Sequence, residues 1–279
     1  MTTRTYRPLI LVCTITTRLT ILHTEISAAA DMKTYPVLFL LALFNVTCKE
    51  DSSNSNAPEN NTPIQSEHFV FELYDGLSNS VAAPVLNKLN EYYDRILTDL
   101  ELTSIPKVNV QIWNDETHFQ NDMKRDLGVN YWGSTGYVYN LTTVRVLNRN
   151  NLPQTVLHEF AHIVSLQVNN RFGNNPRWFW EAVALYEAGD FVHPRNISYL
   201  TAGNFPTLEE LNTDYNQGNQ KIYAVGYLLS EYIIDTWGKS KFVQLIKTNA
   251  NISTTLGIST GQFESGWKEF VTGKYLSGG

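Results

Sequence analysis

From His68 onward the apolar positions fall into regular periods. Residues 68–74 (HFVFELY) form a β-rich run, and from Ser80 to Leu100 the residues Val85, Leu86, Leu89, Tyr92, Ile96 and Leu97 recur at helical spacing. A strand followed by an amphipathic helix is therefore predicted. After Pro106, the residues Val108, Val110 and Ile112 alternate with Asn109 and Gln111, the pattern of a half-buried strand, and Asp115 is placed to start a shorter helix. Residues 136–148 (GYVYNLTTVRVLN) predict a β-ribbon with its turn near Asn140. The first lobe, 67–150, is thus expected to be a small sheet with helices packed on it.

Beyond Asn151 the period becomes helical throughout, over about 152–169, 176–188, 207–214, 219–237, 239–248 and 260–273. Pro153 and Pro176 stand near helix starts, where a missing N–H is tolerated. Asn175 is a plausible N-cap, and Gly173 and Gly238 mark stops. The fold class expected is α+β: a small N-terminal mixed sheet with helices, then a mainly helical lobe over 151–279, the two forming a single domain over 67–279. No repeat of 20 to 50 residues argues for a solenoid.

The region before His68 follows different rules. Met32-Lys33 precedes a short apolar run from Val37 to Phe44, too short for a membrane span but of the length of a signal-peptide core. Residues 32–47 are read as a signal peptide, and 1–31 as an extension of the gene model upstream of a true start at Met32. Cys48 follows the core and is itself followed by charged and Ser/Asn-rich residues, an arrangement that resembles the lipobox of bacterial lipoproteins. The resemblance implies acylation of Cys48 and a lipid-anchored protein of the bacterial cell envelope. Asn45, three places before Cys48, departs from the usual Leu or Val, and an ordinary cleaved secretory signal is the alternative. Residues 48–66 carry almost no apolar side chains and read as a flexible tether.

Composition narrows the classes. With 279 residues, 43% of them hydrophobic, the chain can bury a full core, and a net charge of -6 gives no electrostatic case for nucleic-acid binding. The two cysteines, Cys13 and Cys48, precede the periodic region, so neither a disulfide framework nor a cysteine metal site is available to the fold.

The candidate chemistry lies in 157–164, Leu-His-Glu-Phe-Ala-His-Ile-Val. On a helix, His158 and His162 stand about 40° and about 6 Å apart, so both imidazoles can converge on one ion, with Glu159 beside them. A zinc ion with three protein ligands and an open position acidifies water, and Glu159 is placed to take the proton as general base. A continuation with Gly at 165 and His at 168 is excluded, because these positions are Ser165 and Val168. Eighteen residues after His162, the stretch PRWFWEAVALYEAG offers Glu181, and a chain reversal through Gly173 would bring it to face the histidines. Glu187 lies about 240° around the same helix and reads as a supporting or surface residue. His23, His68, His118 and His193 lack ligand spacing, although His193 follows the Glu181 helix closely enough to be a fallback ligand.

HEFAH followed by PRWFWEAVALYEAG is similar to the peptidase MA-like, or gluzincin, metallopeptidases, whose second motif reads approximately P-x-W-hydrophobic-x-E-G-hydrophobic-A-x-Y. The resemblance implies a zincin-like fold, a Zn2+ cofactor held by His158, His162 and Glu181, and a peptide or protein substrate. Ala182 replaces the motif's usual Gly. Related aminopeptidases carry a Tyr-x-Lys-Gly segment whose tyrosine stabilises an oxyanion; Tyr223 and Gly226 match it, with Val225 in place of Lys. Nothing before His158 resembles the Gly-x-Met-Glu-Asn segment by which that branch holds a substrate amine, which puts exopeptidase activity in doubt. The 136–146 ribbon (GYVYNLTTVRV) occupies the place where the family presents an edge strand to extended peptide, so endopeptidase-like binding is expected. The rivals are a non-catalytic surface binding module that keeps the fold, and a zinc hydrolase of a small amide or ester.

Overall fold

The β-rich run after His68 becomes strand β2 (Phe69–Leu73), joined by a short partner, β1 (Ile64–Gln65), in a computed structural model that describes residues 64–213 and 220–277. Cys48, the signal peptide and residues 1–63 as a whole lie outside the described residues. Ile64 and Gln65, assigned to the tether by their composition, pair antiparallel with β2. The sheet continues with β3 (Val108–Trp113), β4 (Gly136–Asn140) and β5 (Thr143–Leu147), in the order β1-β2-β3-β5-β4. Strands β2, β3 and β5 run parallel, in a register that aligns Phe71, Val110 and Val144, and β4 closes the order antiparallel to β5. The fold is mixed α+β, as the sequence predicts, with β4 as an edge strand beside the helical lobe.

Both faces of this sheet are covered. Helices α1 (Ala82–Asp99) and α3 (Leu152–Val168) pack on one face. On the other, α2 (Glu116–Leu127) covers a smaller cluster of Trp113, Phe119, Met123, Tyr137 and Leu147. The expectation of a half-buried β3 is corrected accordingly. Gln111 is 8% exposed, and the polar side chains of that face satisfy one another instead of water. Asn109 and Gln111 donate to Glu72, Arg145 donates to Gln111 and pairs with Asp126, and Tyr137 donates to Asp126. Asp115 caps α2 by accepting from the His118 N–H at 2.7 Å, as its position implies.

The helical lobe consists of α3, α4 (Arg177–Ala188), α5 (Ser198–Thr201), α6 (Leu208–Leu211), α7 (Lys221–Trp237), α8 (Lys239–Lys247), α9 (Ile252–Leu256) and α10 (Thr260–Val271). The short α5 and α9 carry too few residues for a period to register. The helix predicted over 207–214 has a single described turn, α6. Asn175 is not the cap of α4: Pro176 takes the N-cap position, and the free Trp178 N–H donates to Asn212 from outside the helix at 3.3 Å. Gly173 does not end α3, which stops at Val168 with Asn169 as its C-cap, whereas Gly238, at φ 86°, does join α7 to α8. Helices α4 and α7 approach closely because Gly226 lacks a side chain. A Cβ there would stand 2.5 Å from Leu185 Cδ1 and 3.1 Å from Ala182 Cα. Ser230 fastens the same seam by donating to the Ala182 carbonyl at 2.8 Å. No helix among the described residues is long and apolar enough to cross a membrane.

Candidate metal centre

Three elements converge where the sheet meets the helical lobe. Leu157, Phe160, Ile163 and Val164 bury α3 in the core, which fixes its rotation and turns His158, Glu159 and His162 toward a cleft. The chain then reverses and α4 packs against α3 through Trp178, Phe179, Ala182 and Val183. Glu181 is thereby brought opposite the histidines. His158 Nε2 lies 3.3 Å and His162 Nε2 3.7 Å from Glu181 Oε2. One ligand atom from each residue falls within 4.8 Å of the others.

The donor set fits a zinc ion. Ligand atoms about 2.1 Å from a tetrahedral ion stand about 3.4 Å apart, close to the spacings observed. Glu181 Oε2, 8% exposed as a residue, has no hydrogen-bond donor of its own. A buried carboxylate oxygen aimed at two imidazoles without a donor is satisfied by a cation. The cluster could therefore hold a metal.

The charges within the cluster follow from its geometry. Burial alone would lower His158, but the neighbouring carboxylates of Asp190 and Glu181 raise it to about 10. Burial lowers His162 to about 4, with the His158 charge contributing. Burial works to raise Glu181, yet the two imidazoles that face it hold it well below the usual carboxylate range. Burial pushes Glu159 up to about 7, helped by the charge on Glu181 and opposed by His158.

Glu159 is held against the sheet edge. A Cβ on Gly136 of β4 would come within 2.6 Å of Glu159 Oε1, so the absence of a side chain at 136 is what gives this carboxylate its room. Tyr223, projecting from α7 next to the Gly226 seam, donates to Glu181 Oε1 at 3.4 Å. Burial, and then Glu181, hold its phenol well above its ordinary value, so it stays protonated.

Two parts of the centre escaped sequence reasoning. Asp190, just past α4, lies 3.7 Å from His158 Nδ1 and is held by Gln154, whose amide donates to Asp190 Oδ1 at 2.8 Å and to the Ala188 carbonyl at 2.7 Å. Trp180 stacks on His162 with ring centroids 3.9 Å apart and planes at 10°. A carboxylate behind a candidate metal-binding histidine was a signal available in the sequence, although a position nine residues after Glu181 has no helical logic to single it out.

The remaining histidines and Glu187 stand elsewhere. His193 takes no part in the cluster and accepts from the Arg195 N–H, packing beside Phe191 and Tyr275. His68 stacks on Tyr93, and His118 bonds Asp75 at 2.7 Å. Glu187 is corrected from a supporting or surface residue to a core one. It is 0% exposed and paired with Arg95 at 3.0 Å, because the Arg95 side chain reaches from α1 to the C-terminal end of α4.

The model of one family, described as the peptidase MA superfamily, matches residues 95–273, a span that begins within α1 and contains the whole centre. No curated protein matches the chain.

Proposed function

The chain belongs to the peptidase MA superfamily, and on that premise we propose that it is a zinc-dependent endopeptidase in which His158, His162 and Glu181 hold the ion and Glu159 is the general base. The observation that carries this reading is the meeting of the three ligand atoms within 4.8 Å, at the floor of a cleft that Glu159 and Tyr223 also line. Zinc, when bound, supplies a Lewis acid that polarises the scissile carbonyl and acidifies water.

The chain's own residues do the rest. Glu159, one residue from His158 and facing the cleft, takes a proton from water and hands it to the departing amine. Tyr223, kept protonated by burial, donates toward the negative charge that develops on the carbonyl oxygen. Trp180 and Asp190 keep the two imidazoles in place. The open side of β4 provides backbone groups to which an extended peptide can add as a further strand, and Gly136 of that strand lies against Glu159, so a strand added there would run near the general base.

The cleft of about 830 Å³ is open to solvent and runs along β4, where an extended peptide can lie. Its β4-side wall, including Met123, Leu127, Val129, Tyr131 and Val138, bears no charge. The same proposal places the protein in the bacterial cell envelope on a lipid attached to Cys48; its support is the sequence alone.

The test is metal content by mass spectrometry joined to peptide turnover. Near-stoichiometric zinc in the wild type, zinc without turnover in Glu159→Gln, and loss of zinc in Glu181→Ala are expected. Turnover retained by Glu159→Gln would overturn the mechanism. Zinc without turnover of any peptide by the wild type would leave a binding module.

A further inference from the structure

Arg177 stands at the first turn of α4, four residues before Glu181, so the two share a face about 6 Å apart along the helix. It is 6% exposed and lines the cleft. Its Nη1 donates to the Leu211 carbonyl at 3.3 Å and the Thr213 carbonyl at 3.2 Å, but Nη2 is buried without any hydrogen-bond partner. The guanidinium carbon lies 5.7 Å from the centre of the Tyr223 ring, whose hydroxyl reaches Glu181. Among the described residues no carboxylate pairs with Arg177, although the other deeply buried arginine, Arg145, pairs with Asp126.

A buried cation without a counter-charge is costly unless something else supplies the anion. The structural task of Arg177 falls on Nη1, which holds two carbonyls at the end of α6; the guanidinium also acts on the Tyr223 hydroxyl, and Nη2 is left without an acceptor. The other N–H groups belong to a planar fork whose best partner is a carboxylate. We propose that Arg177 takes a carboxylate of the substrate, anchoring it one helical turn from the metal ligands. This inference rests on the peptidase reading and gives it a substrate class.

The carboxylate can be the C-terminus of the peptide or the side chain of an Asp or Glu. An extended chain advances about 3.3–3.6 Å per residue, so a carboxylate held by a residue one turn of α4 from Glu181 lies within a few residues of the bond to be cut. The C-terminal source therefore predicts cleavage close to the C-terminus, and the side-chain source predicts cleavage inside a peptide near an acidic position.

Three peptides of one neutral sequence decide it: the free acid, its C-terminal amide, and the amide with a single Glu placed at successive positions. With zinc-loaded wild-type protein, a C-terminal source is expected to show as a rise in KM of about 10- to 100-fold on amidation, and a side-chain source as equal KM for the free acid and the amide with a fall of the same size when Glu is added. Loss on amidation thus identifies the C-terminus, and gain from Glu the side chain. Arg177→Met should treat all the peptides alike, at the level of the wild type with the amide, and Arg177→Lys should restore part of the preference. A wild type indifferent to the carboxylate overturns the proposal. So does an Arg177→Met variant that weakens every peptide equally while its Tm falls. Fluorescence anisotropy of the same peptides on zinc-loaded Glu159→Gln reads the preference without turnover. A wild type that cuts nothing would thus refute the peptidase reading while Arg177 is still judged by binding.

Discussion

Helix α4 carries two buried glutamates, Glu181 and Glu187, that differ little in exposure and entirely in company. Glu181 is 8% exposed and Glu187 0%, and each keeps one carboxylate oxygen without a hydrogen-bond donor. Glu187 meets a permanent cation: Arg95 bonds both its carboxylate and its backbone carbonyl, and is itself tied to Asp99, which Lys239 also reaches. Glu181 meets only imidazoles, at 3.3 and 3.7 Å, and a tyrosine at 3.4 Å. A fixed cation closes an electrostatic account inside the fold, while two imidazoles facing one carboxylate leave room for a divalent ion. Burial of a carboxylate therefore does not mark the site; the chemistry of its partners does.

Substituting the two residues in parallel should separate the roles. Glu181→Ala is expected to weaken zinc binding by more than about 100-fold, a greater loss than removal of a supporting residue causes, with the cooperative fold retained. Competition with a chromophoric chelator would measure it, and wild-type affinity in this variant would remove Glu181 from the ligand set. Glu187→Ala should do the reverse, costing about 2–4 kcal/mol in urea denaturation while the folded fraction binds zinc normally. The loss stays near the lower end for a broken buried pair because Arg95 can still turn toward water.

Substitution by glutamine refines the same contrast through pH. Burial pushes Glu187 up to about 8 from 4.5, with Arg95 opposing, so the folded state retains a proton that the unfolded chain has released. The stability linked to that proton is complete below about 4.5 and is lost as pH rises toward about 8, by at most ~1.4 kcal/mol per pH unit. Arg95, Asp99 and Lys239 all face this carboxyl group. Denaturation of Glu187→Gln across that window should show a shallower decline than the wild type; identical slopes would mean that Glu187 is ionised in the fold.

The histidine pair, Glu159 and Glu181 were legible in the sequence because α3 and α4 are long, strongly periodic helices, and helical spacing converts residue numbers into directions. Glu187 was misplaced for the complementary reason. Its angle to Glu181 was right, but periodicity cannot say that the Arg95 side chain reaches that end of α4 from α1. The same limit hid the second covered face of β3, where Gln111 and Asn109 read as solvent positions while Glu72 and Arg145 waited on neighbouring strands. Arg177 and Asp190 acquire meaning only from tertiary contacts, the first from a nitrogen left without a partner and the second from a turn that points it back at His158.

Gly226→Ala probes how firmly α4 is seated. The added methyl would meet Leu185 and the Ala182 backbone, so the helices must part by a few tenths of an ångström or more. A loss of about 1–3 kcal/mol is expected from overpacking. Because Tyr223 and Glu181 face each other across the same seam, zinc affinity should fall with it, whereas the Arg95–Glu187 pair on the far side should keep its contribution. Additivity of Gly226→Ala with Glu187→Ala, and coupling of Gly226→Ala with Glu181→Ala in zinc affinity, would establish that the two glutamates belong to separate units of the fold.

The smallest effect concerns the residue that stands behind His158. Asp190 reaches Nδ1 at 3.7 Å, and Gln154 grips it from the other side at 2.8 Å, so the imidazole is oriented with Nε2 toward Glu181. Asp190→Asn keeps the size and an acceptor oxygen but removes the charge. Zinc affinity should then fall about 10-fold, near the lower end for the loss of a carboxylate supporting a metal-binding histidine. Asp190→Ala removes the acceptor as well and should approach the upper end, about 100-fold. Stability in the presence of chelator should change little in either case, since the Asp190 side chain is 31% exposed. A graded loss in the order Asn then Ala would place Asp190 with Glu181 in one functional unit; equal affinities in all three proteins would make it a surface residue that happens to lie near the histidine.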